Sequence, residues 1–497
     1  MKKLLYIVLA VFILNACDQG FEELNVDPFN LSQAPVGNKL STIELFSSGG
    51  NFENHRVNII YDAMMMQHLS SPLLNFAEGD KYILRKDYTS ALFIHFTQPV
   101  KWIEDLLVQL DDEDAPDEMK AIVRILRVFV FQRMTDHYGD IPYSEAGRAF
   151  IDGVYTPKYD AQSHIYLDML EELEAAAAIL SLDSGTSAFG SADFLFQGDL
   201  SKWKKFANSM MLRLGFRLIK VDPAAAQNWV TKAILGGVME SNADIVYFQH
   251  AATPLSSQNG NASGFAQDDQ IRLSHTFVDF MQTRNDPRLP ILAARKSDGS
   301  NDSGNLIGLP NGLDANLLLQ LTGENDTNEY AEPSAIVKDL AAPMFWQTYA
   351  EVEFMLAEAA ERWGLAGGDP EPHYNAGVRA AMKMLEIYGS EAVIDEADIE
   401  AYLLANPFDV TNAIEQINTQ YWAATFLNDY ETFSNWRRTG FPVLVPVNYP
   451  VNATNGTIPR RLTYTESEAV NNPDNYAAAI AAQGPDIMTT RVWWDLN

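Results

Sequence analysis

The sequence predicts an all-α fold of tetratricopeptide-like helix pairs that carries a loop-rich stretch. Three observations predict it. Apolar residues recur at the i, i+3, i+4, i+7 spacing of a buried helix face in several long segments. These segments follow one another through short turns. Between residues 246 and 345 the composition changes to Gly, Asn, Ser and Asp, which are loop signals.

The chain opens on Met1-Lys2-Lys3, the apolar run Leu4 to Leu14, and Asn15-Ala16-Cys17. A basic start, a short apolar stretch and a small residue before the break describe an export signal over residues 1–16. The apolar run is barely half of the roughly 20 residues that a membrane span needs. Residues 117–138 then read as a helix. The acidic run Asp111-Asp112-Glu113-Asp114-Ala115-Pro116-Asp117-Glu118 suits its start, since acids favour the positive end of the helix dipole and Pro is tolerated in the first turn. Ile165, Met169, Leu170, Leu173, Ala177 and Leu180 form one apolar face, and Trp203, Phe206, Ala207, Met210, Leu214 and Leu218 another. Val352, Met355, Leu356, Ala359 and Trp363 form a third, with glutamates interspersed, and residues 411–437 read as a further helix. A strict repeat of roughly 34 residues is not found, so any tetratricopeptide-like units are degenerate. The run Val443-Leu444-Val445-Pro446-Val447 is expected to be extended, with Pro446 restricting it to an edge or a loop.

The 497 residues are ample for a large core, and Cys17 is the single cysteine, so no disulfide staples the fold. The expected organisation is one unit over residues 17–497: helical from 40 to 245, loop-rich from 246 to 345, and helices with loops from 346 to 497. With 35 basic and 66 acidic residues the net charge is -31. That excludes a nucleic-acid backbone as the expected partner, because phosphate binding needs positive fields. Adsorption to anionic lipid head groups is disfavoured for the same reason. Neutral ligands, cationic ligands and proteins remain.

Leu14-Asn15-Ala16-Cys17 resembles the bacterial lipobox, with Asn15 standing where a small or aliphatic residue is usual. Acylation of Cys17 by two or more chains would give stable membrane attachment, since one chain alone is marginal. Further blocks follow. These are Asn25-Val26-Asp27-Pro28, Thr135-Asp136-His137-Tyr138-Gly139-Asp140-Ile141-Pro142-Tyr143-Ser144-Glu145-Ala146, and Gly198-Asp199-Leu200-Ser201-Lys202-Trp203 with the residues after it. Arg284-Asn285-Asp286-Pro287-Arg288-Leu289, Ala350 to Ala359, Asn435-Trp436-Arg437-Arg438-Thr439-Gly440 and Ile458-Pro459-Arg460-Arg461-Leu462 complete the set. Taken in order, they resemble the SusD/RagB family, in particular its SusD-like nutrient-binding outer-membrane lipoproteins. Thr419-Gln420-Tyr421-Trp422 departs from the Gln-Lys-Trp of that family. The resemblance implies tetratricopeptide-like units packed against a second, loop-rich lobe. It also implies a SusC-like TonB-dependent transporter as partner, to which the lipoprotein delivers its ligand, and a lipid anchor at the cell outer membrane. Asp18, Glu22 and Glu23 are similar to signals for surface exposure.

The charged residues of these blocks suit architecture better than catalysis. Asp136 and Asp140 are expected to bond backbone amides or arginines around the turn Gly139-Asp140-Ile141-Pro142, and the Arg437-Arg438 and Arg460-Arg461 pairs to meet internal carboxylates. No His-Glu-x-x-His metal motif, phosphate-cradling Gly-rich loop or cysteine nucleophile is present, and no cofactor is expected. Asp298, Ser300 and Asp302 alternate as in a calcium loop but lack its glycine and glutamate, so a polar surface loop is expected. A neutral sugar needs an aromatic platform with planar amide, carboxylate or guanidinium partners. Two stretches offer that mixture: Leu74 to Tyr82, with Phe76 and Tyr82, and Gln258 to Asp268, with Asn259, Asn261, Phe265 and Asp268. The reading is a non-catalytic receptor for an oligosaccharide. The alternatives are a surface glycoside hydrolase, which would need two carboxylates roughly 5 to 9.5 Å apart, a peptide receptor of the same family, or a helical scaffold without a small ligand.

Overall fold

Residues 34–182 and 185–496 are described by the computed structural model. The export signal, Cys17, Asn25 to Pro28, and Asp18, Glu22 and Glu23 lie outside the described residues. Numbering the helices of eight residues or more, the first half carries α1 (Val36–Ser48), α2 (Ala91–Asp112), α3 (Asp117–Tyr138), α4 (Gln162–Ile179), α5 (Leu200–Arg217) and α6 (Pro223–Gly236). The middle carries only the short α7 (Gly260–Gln267), α8 (His275–Thr283) and α9 (Ala315–Thr322). The last part carries α10 (Tyr349–Trp363), α11 (Pro370–Lys383), α12 (Glu396–Ala405), α13 (Ala413–Ala424), α14 (Asp429–Thr439) and α15 (Pro473–Gln483).

Local chemistry sets the ends of the long helices. Pro116 precedes α3, Asp117 and Glu118 occupy its first turn, and Gly139 closes it at φ 80°. Asp199 caps α5 by accepting from the Ser201 and Lys202 amides, which explains the Gly198-Asp199 block. Thr348 and Glu351 cap each other's amides at the start of α10. The apolar faces then pair neighbours in sequence: α2 on α3, α3 on α4, α4 on α5, α5 on α6, and later α10 on α11. Helix pairs stacked in this way form the tetratricopeptide-like all-α scaffold. Contact of α10 with α5 and of α14 with α3 closes the two halves onto one core, in which Trp203, Trp346 and Trp494 are fully buried.

The segment 411–437 departs from the continuous helix that its period predicts. It breaks between α13 and α14, with Leu427 at φ 69°. The break is held from outside. The Leu427 carbonyl accepts hydrogen bonds from Asn58 at 2.9 Å and Asn261 at 2.8 Å, and its amide donates to Asp429 at 3.1 Å. A second departure is the π-helical segment Asn54–Ala63, for which the sequence carries no periodic signal. Strands are few and short. The longest pair among the described residues joins β1 (Val246–Gln249) to β2 (Pro343–Gln347), antiparallel with Phe248 opposite Met344.

Most charged residues of the sequence blocks are buried, Asp140 and Arg460 are half-buried, and their bonds are made inside the protein. Asp136 accepts from Gln132 at 2.6 Å and from the Tyr166 hydroxyl, and Asp140 accepts from the Gln162 amide at 2.8 Å. Arg437 donates to the Asp136 and Arg460 carbonyls at 2.6 and 3.0 Å. Arg438 forks onto Glu358 at 2.7 and 2.8 Å, and Arg461 lies 3.2 Å from Asp486. Asp286 and Arg288 pair at 2.6 Å just past the end of α8. In the polar stretch after it, Asp298 and Asp302 accept from the Ser300 and Gly304 amides, so both cap turns.

Candidate functional site

The site is built on the loop 71–85. Gly79 places this loop directly on the π-helical segment: a Cβ there would stand 1.6 Å from the Ile60 carbonyl oxygen. Gly79→Ala is therefore expected to unseat the loop and cost about 1–3 kcal/mol, as overpacking does. Thermal unfolding measures the loss, and an unchanged midpoint would mean that the backbone yields freely here. Beside Gly79, Asp80 and Lys81 form a buried pair at 2.8 Å. Lys81 also donates to the Ser71 carbonyl at 2.5 Å, and Asp80 accepts from the Gly312 amide at 3.0 Å and the Ser70 hydroxyl at 3.1 Å. Tyr82, in the left-handed region at φ 55°, accepts from the Val447 amide on its hydroxyl at 3.2 Å and from the Ala453 amide on its carbonyl at 2.8 Å. Burial pushes the Tyr82 phenol up to about 12, so it stays a neutral hydroxyl. One loop thus holds two others, around residues 310–314 and 443–456.

These two loops, with Gln67, His275 and Thr276, enclose a cleft of about 380 Å³. Val445, Pro446, Val447 and Pro450 give it apolar faces, and Asn311, Asn448, Gln67 and His275 give it planar polar groups. Gln67 and Asn311 are held in place: Gln67 bridges the Val445 carbonyl at 2.6 Å and the Thr276 hydroxyl at 2.7 Å, and Asn311 donates to the Leu69 carbonyl at 2.8 Å. Asn448 and His275 are exposed. Asp314, at the start of α9, accepts from the Tyr449 hydroxyl at 2.7 Å, which holds its carboxyl below the usual range. Larger clefts among the described residues are built from other segments: one of about 570 Å³ beside Trp102 and Phe150, one of about 620 Å³ around Arg284 and Glu415, and one of about 430 Å³ between Phe46, His95 and the Gln258 to Gln267 stretch.

On the outer side of the same loop, Phe76 is 58% exposed with its backbone at φ 98°. The Arg85 guanidinium lies over its ring, 5.7 Å from the centroid, and is itself held by Glu78 at 2.5 Å and Asn75 at 3.2 Å. An open aromatic face framed by an amide and a guanidinium is the arrangement that stacks against the C–H face of a sugar.

The other residues singled out from sequence stand elsewhere. Tyr82 is 1% exposed and locks loops together. Asn259 is buried as the cap of α7: it accepts from the Ala262 amide at 3.0 Å and donates to the Ala342 and Pro343 carbonyls at 3.1 and 3.2 Å. Asn261 is buried between Asn58 and Leu427. Phe265 packs into the core. A side chain sealed from solvent and with its bonds made inside cannot present itself to a ligand, so these four are structural in this fold. Asp268 accepts from the Gln270 amide at 3.0 Å, and burial raises its carboxyl above the usual range. Sequence reasoning missed Arg85 and the loops around 311 and 448. The run Pro446 to Pro450, with two prolines flanking Asn448 and Tyr449, was the available signal.

Fold and cleft together define a class: a helical-repeat protein with a cleft built from loops. More particularly, the chain belongs to the SusD-like family, whose model, described as "Starch-binding associating with outer membrane", matches residues 29–465. Among solved structures it is similar to a protein described as chitin-binding, with 33% identity over 93% of this chain and 100% of the other and a TM-score of 0.84. It is also similar to a Bacteroidetes SusD-like protein, AC2a, at 25% identity over 93% and 100% of the two chains, with a TM-score of 0.81. A chitin-binding SusD homolog from Flavobacterium johnsoniae shares the fold at 24% identity, over 93% and 99%, with a TM-score of 0.76. No curated protein matches the chain.

Proposed function

We propose that this protein is a non-catalytic receptor for an oligosaccharide, tethered to the outer membrane through a lipid on Cys17 and exposed at the cell surface. It would hand its ligand to a SusC-like TonB-dependent transporter. The observation that carries the ligand class is the exposed Phe76 ring, framed by Arg85 and Asn75, on the loop that buttresses the Asn448 cleft. The two carboxylates beside the cleft support binding rather than hydrolysis. Asp80 is paired with Lys81, and Asp314 is held by Tyr449 and by the start of α9. Membership of a family described as starch-binding, and likeness to a chitin-binding protein, support a glycan over a peptide.

Titration calorimetry with N-acetylglucosamine oligomers, malto-oligosaccharides and peptides tests the reading. One glycan series is expected to bind, with no sugar released. Binding of peptides alone would overturn the ligand class, and release of reducing ends would favour the hydrolase. Phe76→Ala is expected to weaken that glycan about tenfold, or roughly 1.4 kcal/mol, with an unchanged unfolding midpoint because the ring is exposed. Equal affinity in the two proteins would remove Phe76 from the site. Recovery of a large barrel protein with the receptor from native membranes tests the transporter. Mass analysis of the mature N-terminus tests the lipid.

A further inference from the structure

Three histidines bracket the cleft of about 430 Å³ between the end of α1 and the stretch Gln258 to Gln267. His55 and His250 are buried, and His95 is half-buried. His250, just after β1, ties the two walls together. A carbonyl only accepts, so its Nδ1 donates to the Ser257 carbonyl at 3.1 Å, and in the neutral ring Nε2 is left to accept from the Ser48 hydroxyl at 2.8 Å. His95, on α2 and in the cleft wall, donates from Nε2 to the Phe46 carbonyl at 3.3 Å. His55 is pressed against α7: a Cβ on Gly264 would stand 3.1 Å from that of His55, whose Nε2 is buried without a partner.

The charges around these rings do not compensate added protons. Arg56 and Arg133 are the cations at the junction, and Arg133 reaches the Ser47 carbonyl at 3.3 Å. The carboxyl nearest to His95 is Glu53, 3.0 Å from its Nδ1, and burial pushes Glu53 up to about 8, so it is protonated. Glu44, further back on α1, accepts from the Phe194 amide at 2.8 Å, and burial beside Asp193 raises it well above the usual range. Tyr430, which faces Glu53 and Arg133, stays a neutral phenol. Burial accordingly lowers His55, His95 and His250 to about 4 from 6.5.

We propose that this junction is an acid-sensitive gate: proton uptake by His250, His55 and His95 separates the end of α1 from α7 and opens the cleft between them. Neutral imidazoles are what the closed state needs, and histidine is the side chain whose charge changes in this range. A histidine whose folded value lies below its free value stabilises the closed state above about pH 6.5. It withdraws that contribution as pH falls toward about 4, and each ring freed on opening makes opening about tenfold easier per pH unit. The gate is independent of the glycan reading.

Hydrogen exchange read by mass spectrometry on the full chain in detergent, corrected for the intrinsic rate at each pH, tests it between about pH 7.5 and pH 5. Below about pH 6.5, residues 46–55 and 258–267 of the wild type are expected to open at least tenfold more per pH unit, while α4 and α5 keep their protection. His250→Gln and His55→Phe are each expected to remove about one tenfold step per pH unit. A glutamine amide supplies one donor and one acceptor in place of the His250 ring, and Phe fills the volume of His55. A flat wild-type profile overturns the gate, and so does an unchanged slope in both folded variants. A slope shared by α4 and α5 also overturns it, because acid would then loosen the whole fold. If neither variant folds, the wild-type profile decides by itself.

Discussion

Glu431→Ala is expected to lower the stability of the fold by about 3–5 kcal/mol, the cost of stranding buried charge. Glu431 accepts from Arg217 at 2.7 and 2.8 Å and from the Tyr421 hydroxyl at 2.9 Å, and the Arg213 Nε stands 3.4 Å away. Arg213 also reaches Glu351 at 2.6 Å, and Tyr421 bonds that carboxylate at 3.0 Å. Arg217 lies 3.6 Å from Asp136, which takes the Tyr166 hydroxyl. One network thus fastens α3, α4, α5, α10, α13 and α14 at the point where the two halves meet. Burial alone would raise the Glu431 carboxyl, but Arg217 and then Arg213 hold it below the usual range, so it is ionised. Without it, Arg217 keeps only the longer contact to Asp136. Guanidinium-induced unfolding of wild type and variant measures the difference. A loss under about 1 kcal/mol would mean that water or rearrangement compensates, and the network would then not be what joins the halves. Replacing both Arg217 and Glu431 with Met is expected to recover part of the loss, since a buried pair exchanged for apolar volume is often neutral.

The second large effect is acid sensitivity through Glu358. Burial raises this carboxyl, but the forked Arg438 contact and then Arg362 at 2.6 Å outweigh burial and bring it down to about 2 from 4.5. A carboxyl depressed on folding stabilises the native state above its unfolded value and loses that contribution as pH falls through its folded value. Glu358 is expected to contribute about 3 kcal/mol at neutral pH, lost between about pH 4.5 and pH 2. Denaturant midpoints taken down this range in wild type and Glu358→Gln check it. The wild type is expected to fall more steeply with acid, and parallel curves would exclude the role. Glu53, which burial pushes up to about 8, titrates in the opposite sense. Its contribution is present at low pH and is lost as pH rises toward 8, so the two groups separate on the pH axis.

Much of the scaffold was legible. The periods over residues 165–180, 203–218 and 352–363 correspond to α4, α5 and α10, and the Pro116 and Gly139 signals bound α3. These are local patterns, written into one turn after another of the same helix. The break at Leu427 was not legible, because the groups that hold it, Asn58 and Asn261, come from distant parts of the chain. The candidate site divides in the same way. Aromatic and amide residues in a loop are what a sugar site needs and also what a loop uses to bind itself to the core. Composition cannot separate Phe76, left open, from Tyr82, six residues on and sealed by Val447 and Ala453.

By itself the sequence determined the family, the helical scaffold and the inward bonding of most charges in the blocks, although Arg437 meets the Asp136 and Arg460 backbone carbonyls where a carboxylate was expected. Those depend on periodicity and on the ordered blocks, both of which are readable along one dimension. Only the tertiary structure decided which polar and aromatic side chains face solvent, and that the loop 71–85 is bonded to the loops 310–314 and 443–456. Exposure is a property of contacts between segments hundreds of residues apart. The seat of the loop 71–85 on the π-helical segment is likewise a contact between segments: Gly79 leaves room for the Ile60 carbonyl oxygen, which a Cβ would meet at 1.6 Å.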